Sequence, residues 1–444
     1  MPSLWRTAGC WETCRVGAVT GTSGWSEKGT NSGSRPSYNR RSGVSSPAPP
    51  SPAPQEAPQR VAAPATASKR ASTQSTVRTP ARARRALPPP ILVRQIRNGI
   101  EESVHRGDIV EVDASGAIIR VLGDPDRVVT LRSCVKPFGA AAIIEAGGAE
   151  AFDLEPAEIA LMASSHSGED VHVRTLQALY RRVGIAQASL ATGVEGMPLD
   201  AITAARLARD GETPGPIRHM CSGQHSVFLL LCKLKGWKVE DYWLEDHPVQ
   251  VAYRTVVARA FGTTPEKLKL AIDGCGVPTY AFPLRDVARG YAFLAAPSAL
   301  PAKDSRASLA PALERVRDAM LAHPDMVAGT RDRLDTSVMK AEPGRLVSKG
   351  GMEALRGLAI LPGRGGDATR GATGMAVKIE DGDGYDRGTW AASVEALRQA
   401  NALGSAALRA LARYHRPVSL DPHGRVGAEA IPDFELAPLG ELLF

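Results

Sequence analysis

Short apolar and β-branched runs lie at both ends of the foldable chain, and helical patterns fill its middle. Residues 91–93, 109–112 and 117–121 read as strands, with turn signals such as 113–116 between them. They predict an antiparallel meander leading into a helix over 133–146, which Gly147 and Gly148 end. Pro137 fits only in the first turn of that helix, where its missing N–H costs nothing. Further helical runs cover 156–163, 171–183, 199–208, 224–234, 248–261 and 283–295. Residues 345–348, 358–361 and 374–379 return to β character, and 391–414 reads as one last helix. Strands, a helical block and strands again predict an α+β fold with one sheet and segregated helices. No fixed-period repeat occurs.

The first 90 residues follow a different rule. They are rich in Ser, Gly, Pro, Ala and Arg, and cannot bury enough apolar surface to offset their ordering entropy. They read as a disordered basic tail, as an Arg-rich presequence, or as an over-extended start. The catalytic part is then expected over 91–444. The tail also explains the charge. Residues 1–97 hold 15 Lys and Arg against 3 acidic residues, a net of +12, so the chain total of +7 leaves about −5 for the rest. Nothing in the composition of the rest calls for a nucleic-acid partner. No apolar run reaches the roughly 18 residues of a membrane span. Residues 1–20 lack the uninterrupted apolar core of a secretion signal, so a cytoplasmic location is expected. Six cysteines in a chain this long do not form a disulfide framework; buried, free or metal-binding thiols are expected.

The chemistry begins at Ser133-Cys134-Val135-Lys136. Positions i and i+3 of a helix share a face, so hydroxyl and amine can meet there. A desolvated lysine can take the serine proton and make the oxygen nucleophilic. Taken alone, the pattern equally describes a capping serine and a solvated lysine. Downstream, Ser348-Lys349-Gly350-Gly351 lies at a predicted strand end. Serine β-lactamases and penicillin-binding proteins combine Ser-x-x-Lys, a second serine and a Lys-Thr-Gly strand. Ser165, within Ser164-Ser165-His166-Ser167-Gly168-Glu169, can supply the second serine. Cys221-Ser222-Gly223-Gln224-His225 opens an apolar helix whose N–H groups can receive an anion. Asp273-Gly-Cys275-Gly-Val-Pro278 is a tight turn carrying a carboxylate and a thiol. The two cysteine segments lack zinc-ribbon spacing, and inert buried thiols remain the plainer alternative.

In this order, with His323-Pro-Asp-Met-Val-Ala-Gly329, the motifs resemble the bacterial L-asparaginase family of the serine-β-lactamase-like fold, distinct from the threonine-dependent asparaginases. The resemblance covers about residue 90 to the end. It implies hydrolysis of L-asparagine through a seryl acyl-enzyme, with Ser133 as nucleophile, Lys136 as its base, and Ser165 and Lys349 as a second pair. It places Arg132, Asp273 and His225 around the substrate and implies a homodimer. The family's site holds zinc through two cysteines and a lysine. Cys221 and Cys275 match, but Gln224 stands at the lysine position, so zinc is expected to be weakened, lost, or completed by water or His225. Another amide hydrolase on the same scaffold (a glutaminase, or a β-lactam or peptide hydrolase) and a catalytically impaired amino-acid-binding protein are the alternatives.

Overall fold

A computed structural model describes residues 87–193, 198–363, 371–384 and 386–439. Most of the expected tail, residues 1–86, lies outside them. The strands are β1 (Ile91–Arg97), β2 (Ile100–Asp113), β3 (Ile118–Leu122), β4 (Val128–Thr130), β5 (Lys269–Ile272), β6 (Pro278–Pro283), β7 (Leu346–Gly351), β8 (Leu355–Ile360), β9 (Thr373–Ile379), β10 (Val418–Leu420) and β11 (Val426–Pro432). Eight of them form one sheet in the order β10-β11-β1-β2-β9-β8-β7, with β3 also beside β2. Every pairing is antiparallel. The long β2 pairs with β1 through its first half and lies between β3 and β9 through its second. A smaller sheet has the order β4-β6-β5.

Alternation along the strands sends side chains into two cores. Ile109, Leu358, Met375 and Val377 enter one, with the Arg387–Gln399 helix over them. Val110, Val112, Ala359 and Ala376 enter the other, beneath the Leu284–Ala295 helix and the central helical block. Two glycines admit the Leu284–Ala295 helix. A Cβ on Gly374 would lie 2.1 Å from Ala288 O and Ala292 N, and one on Gly357 2.0 Å from the Tyr291 ring. In the helical block, Gly223 does the same between the Ser222–Lys235 and Pro156–Met162 helices, where a Cβ would sit 1.9 Å from Leu161 O.

The α+β layout, the opening meander and most expected elements are present, with three differences. The 133–146 segment is not one α-helix: Arg132–Val135 is a 3₁₀ turn, and the α-helix runs Lys136–Glu145 with Pro137 in its first turn. The 391–414 segment is broken. Its first helix ends at Gln399, Asn401 adopts a left-handed φ of 53°, and short helices Ser405–Ala410 and Ala412–His415 follow. Asparagine tolerates that conformation, and the turn folds Leu411 and Tyr414 back onto the same core, so the apolar pattern survives the break. The β4-β6-β5 sheet, β10, β11 and the Ala310–Ala322 and Leu334–Ala341 helices had no counterpart in the pattern reading. Among the described residues no helix is long and apolar enough to cross a membrane.

The close approach at Gly374 makes a stability prediction. Gly374→Ala meets backbone atoms that cannot rotate away, so it should cost about 3 kcal/mol. Gly371→Ala, with nothing within 4 Å of the new methyl, should change stability by less than about 0.5 kcal/mol. Chemical denaturation of both variants checks the contrast.

Candidate active site

The Ser133 turn is clamped between the two sheets. On one side Leu131 N–H donates to Tyr280 O (2.8 Å) and Arg132 N–H to Thr279 Oγ1 (3.0 Å), both on β6. On the other, the Cys134 thiol donates to Lys349 O on β7 (3.2 Å). Arg132 itself takes a left-handed φ of 45°, a strained conformation for a side chain of this size, immediately before Ser133. Ser133 is 4% exposed, and its hydroxyl has no hydrogen-bond partner among the described residues. The expected Ser133–Lys136 hydrogen bond is therefore not formed. Ser133 sits on the 3₁₀ turn, and the Lys136 amine is drawn to other groups.

Those groups define the centre of the site. Lys136 Nζ donates to Ser164 O (2.8 Å), Ser165 Oγ (3.1 Å) and Cys221 Sγ (3.3 Å). Lys349 Nζ reaches the same Ser165 Oγ from the opposite element at 2.9 Å and also donates to Gly350 O (2.6 Å). Both lysines are fully buried. Ser165 is thus one hydroxyl between two amines. Its main chain is pinned as well: N–H to Val327 O at 2.9 Å, and C=O to Arg333 Nη2 at 2.9 Å. Burial pulls the Lys349 pKa down to about 8, against the opposing pull of Asp335 and with help from the nearby charge of Lys136.

Strand alternation positions Lys349. Val347 and Lys349 face the helical block, while Leu346 and Ser348 face the Leu334–Ala341 helix. Asp335, in the first turn of that helix, accepts from Ser348 Oγ (2.7 Å), from Gly350 N–H (2.9 Å) and from the Arg356 guanidinium on β8. Burial would raise the Asp335 pKa, but Arg356, Lys349 and these hydrogen bonds hold it well below the usual carboxylate range. Asp335, Arg356 and Arg333 carried no motif signal. Their meaning lies in contacts between β7, β8 and a helix that the pattern did not predict.

The cysteine segments also converge. The β5–β6 connection is a tight turn, closed by Asp273 N–H to Val277 O (2.9 Å), and it carries Cys275 to Cys221. A hydrogen bond from the Cys275 thiol, reinforced by Lys136 and His219, holds the Cys221 pKa well below its ordinary value against the effect of burial. Cys275, the donor, is held correspondingly high. His219 Nδ1 accepts the Cys221 N–H at 3.0 Å. Gln224 donates through Nε2 to Tyr253 OH (3.0 Å), while its Oε1 is buried without a partner. His225 Nδ1 lies 2.6 Å from Tyr242 OH, which already accepts the Ala191 N–H at 2.9 Å. That favours Tyr242 donating to Nδ1 and leaves the proton on Nε2, which is buried and unpartnered. Burial takes the His225 pKa to about 3, so the ring stays neutral. His166 is a structural histidine, bonded to Ser222 Oγ (2.8 Å) and the Gly168 N–H (3.1 Å).

Arg132 and Asp273 are paired with each other, Nε to Oδ1. The structure brings Lys136, Ser165, Lys349, Cys221 and Cys275 into one cluster, with the Ser133 and Arg132–Asp273 turns joined to its walls. A cleft of about 860 Å³ lies elsewhere and is lined by none of these side chains. This set of groups can carry protons along Lys–Ser–Lys and present a free hydroxyl beside it.

Asp335 is the test of how Lys349 is held. Asp335→Asn leaves Arg356 and Lys349 without their anion and should lower stability by about 3 kcal/mol. It also removes the charge that favours ammonium at Lys349, so the pKa of that group should fall further below 8. In wild type, Lys349 is charged below about pH 8, and its burial penalty fades as pH rises from about 8 towards its ordinary 10.5. In Asp335→Asn the lower end of that window should move to lower pH. Unfolding measurements against pH, with Lys349→Met as the reference lacking the group, read both effects.

A sequence profile of the family described as L-asparaginase II matches residues 93–430. No curated protein matches the chain by sequence. Among solved structures, the chain is similar to a probable glutaminase of Bacillus subtilis, with 11% identity over 61% of this chain and 80% of that one, and a TM-score of 0.32. It is also similar to the same organism's probable glutaminase complexed with 6-diazo-5-oxo-L-norleucine, with 14% identity over 61% and 76% and a TM-score of 0.29. A third, the native form of a protein named Mglu, shows 18% identity over 66% and 65% with a TM-score of 0.29. The profile match spans most of the chain and includes every residue of the Lys–Ser–Lys cluster: the protein belongs to the L-asparaginase II family and is an amidohydrolase.

Proposed function

We propose that the protein hydrolyses the side-chain amide of L-asparagine to L-aspartate and ammonia through an ester on Ser133. The observation that carries this reading is the Lys136–Ser165–Lys349 contact chain, at 3.1 and 2.9 Å, with the Ser133 turn tied to the Lys349 strand through the Cys134 thiol. Ser165 suits proton relay because both amines already hold its oxygen. Ser133 suits attack because nothing holds its own. In this reading the Lys136 side chain acts as base and takes the Ser133 proton while Oγ bonds to the amide carbon. The C–N bond then breaks, and the nitrogen leaves as ammonia with the proton returned through Lys136 and Ser165. Water adds to the ester, gives its proton back along the same route, and releases L-aspartate and the free Ser133 hydroxyl. Asp273 takes the α-ammonium, held in place by Arg132. His225 contributes a neutral N–H donor behind Cys221. A small-molecule substrate, a cytoplasmic location and a homodimer complete the reading.

Zinc is a separate matter. The donors present are two thiols, one of them hydrogen-bonded by Lys136 Nζ, and a carboxamide oxygen. Among the described residues no three His, Cys, Asp or Glu side chains are grouped to hold a metal. A neutral amide is a poor zinc ligand, and the His225 lone pair is spent on Tyr242. These residues do not fit a firmly held zinc ion, and no step is routed through one.

Purified protein should release ammonia from L-asparagine at least about tenfold faster than from L-glutamine, the scale one methylene sets in a closed pocket. No turnover of L-asparagine refutes the assignment. The diazo-ketone analogue 5-diazo-4-oxo-L-norvaline should leave its adduct on Ser133 in peptide mapping; an adduct on Ser165 reverses the two serine roles. Elemental analysis should find zinc well below one equivalent, rising in Gln224→Lys. A full, tightly held equivalent in the unmodified protein contradicts the zinc reading.

A further inference from the structure

Arg333 is a half-buried cation with no part in the scheme above. It precedes the Leu334–Ala341 helix and donates from Nη2 to Ser165 O at 2.9 Å. Among the described residues it pairs with no carboxylate. The acids whose charge it feels are mostly committed elsewhere. Asp335 is bonded to Ser348, Gly350 and Arg356. Glu169 is bonded to Ser167, to the Thr330 hydroxyl and N–H, and to Arg331. Asp386 is close enough for its charge to act on Arg333 but forms no ion pair with it. No nitrogen of Arg333 is among the fully sealed, unpartnered polar atoms, so its unused N–H groups reach accessible surface. A guanidinium partly withdrawn from water, with N–H donors left over, is a ready partner for an anion in good geometry. Among the described residues no carboxylate bonds it, and the cation is held against the main-chain oxygen of Ser165.

We propose that Arg333 is the anchor for the α-carboxylate of the amino-acid substrate, a specificity-determining contact that rests on the amide-hydrolase reading given above. Arg132 is less suited, because its Nε is committed to Asp273. Arg333 reaches Ser165 through the main-chain oxygen and not through Oγ, so it stands back from the reacting group. In asparagine the α-carboxylate stands back from the side-chain amide by two carbons. A planar fork of N–H donors matches a carboxylate in two parallel bonds, which a lysine could not reproduce.

The test compares wild type, Arg333→Gln and Arg333→Lys, as full-length protein, on L-asparagine and on L-asparagine methyl ester. The ester keeps the scissile amide and masks the α-carboxylate. Arg333→Gln should raise KM for L-asparagine about 30-fold or more. kcat should stay within about threefold, and KM for the ester should be unchanged. Calorimetric affinity for L-aspartate should fall in parallel with the asparagine effect, and Arg333→Lys should recover part of both losses. An equal KM rise on both substrates assigns Arg333 a merely structural role and overturns the proposal, as does an unchanged KM for L-asparagine. If wild type turns over no L-asparagine, the function reading fails on that result. L-aspartate affinity then decides Arg333 separately: equal affinity in wild type and Arg333→Gln, or binding by neither, overturns it. Should Arg333→Gln fail to fold by circular dichroism, Arg333→Lys carries the same comparisons.

Discussion

Two buried lysine amines converge on one buried hydroxyl. Everything around the site answers that constraint. A buried ammonium needs acceptors, and Lys136 finds a carbonyl, a hydroxyl and a thiolate-prone sulfur. Lys349 finds a carbonyl and the same hydroxyl. Among the described residues no carboxylate bonds either amine directly. A carboxylate in contact would fix the proton on its lysine and end the amine's use as a base. The nearest one, Asp335, is spent on Ser348, Gly350 and Arg356, so it steadies the strand that bears Lys349 while leaving the amine free to lose its proton.

Close backbone approach is the second requirement. Gly223, Gly357 and Gly374 each stand where a methyl would strike a neighbouring helix or its side chain. One of these contacts brings the Cys221 helix against the segment leading to Ser164 and Ser165. The other two seat the Leu284–Ala295 helix, whose Tyr291 hydroxyl then donates to Cys134 O at 2.9 Å beneath Ser133. Packing and the site meet at these points, since a displaced helix would carry a group of the site with it.

Much of this was legible along the chain. Ser133, Lys136, Ser165 and Lys349 stand out because hydroxyls and amines interrupt otherwise apolar segments in a known order, and the two cysteine turns announce themselves through glycine. The opening meander and the Pro-initiated helices followed from alternation and capping. What escaped the reading is non-local. Asp335 and Arg356 are ordinary charges until β7, β8 and a helix bring them together. Arg333 is one arginine among many until its lack of a carboxylate is seen in space. The Ser133 turn looked helical because i and i+3 coincide in α and 3₁₀ geometry alike, yet the tighter turn leaves the lysine amine bonded to a different serine. The β4-β6-β5 sheet was hidden because its pairings span most of the helical block.

The strand order has a consequence for how the molecule is made. β1 is the first of the described strands, yet its outer neighbour is β11, in a register that joins Val93 to Pro432. Between them lie all the groups of the site. As the chain emerges from the ribosome, the apolar residues of β1 have no second neighbour until nearly the whole sequence exists. The fold therefore has a high contact order, and its central sheet is sealed late. An unsealed strand edge is a template for intermolecular pairing, so this architecture makes synthesis itself the aggregation-sensitive stage of the protein's life.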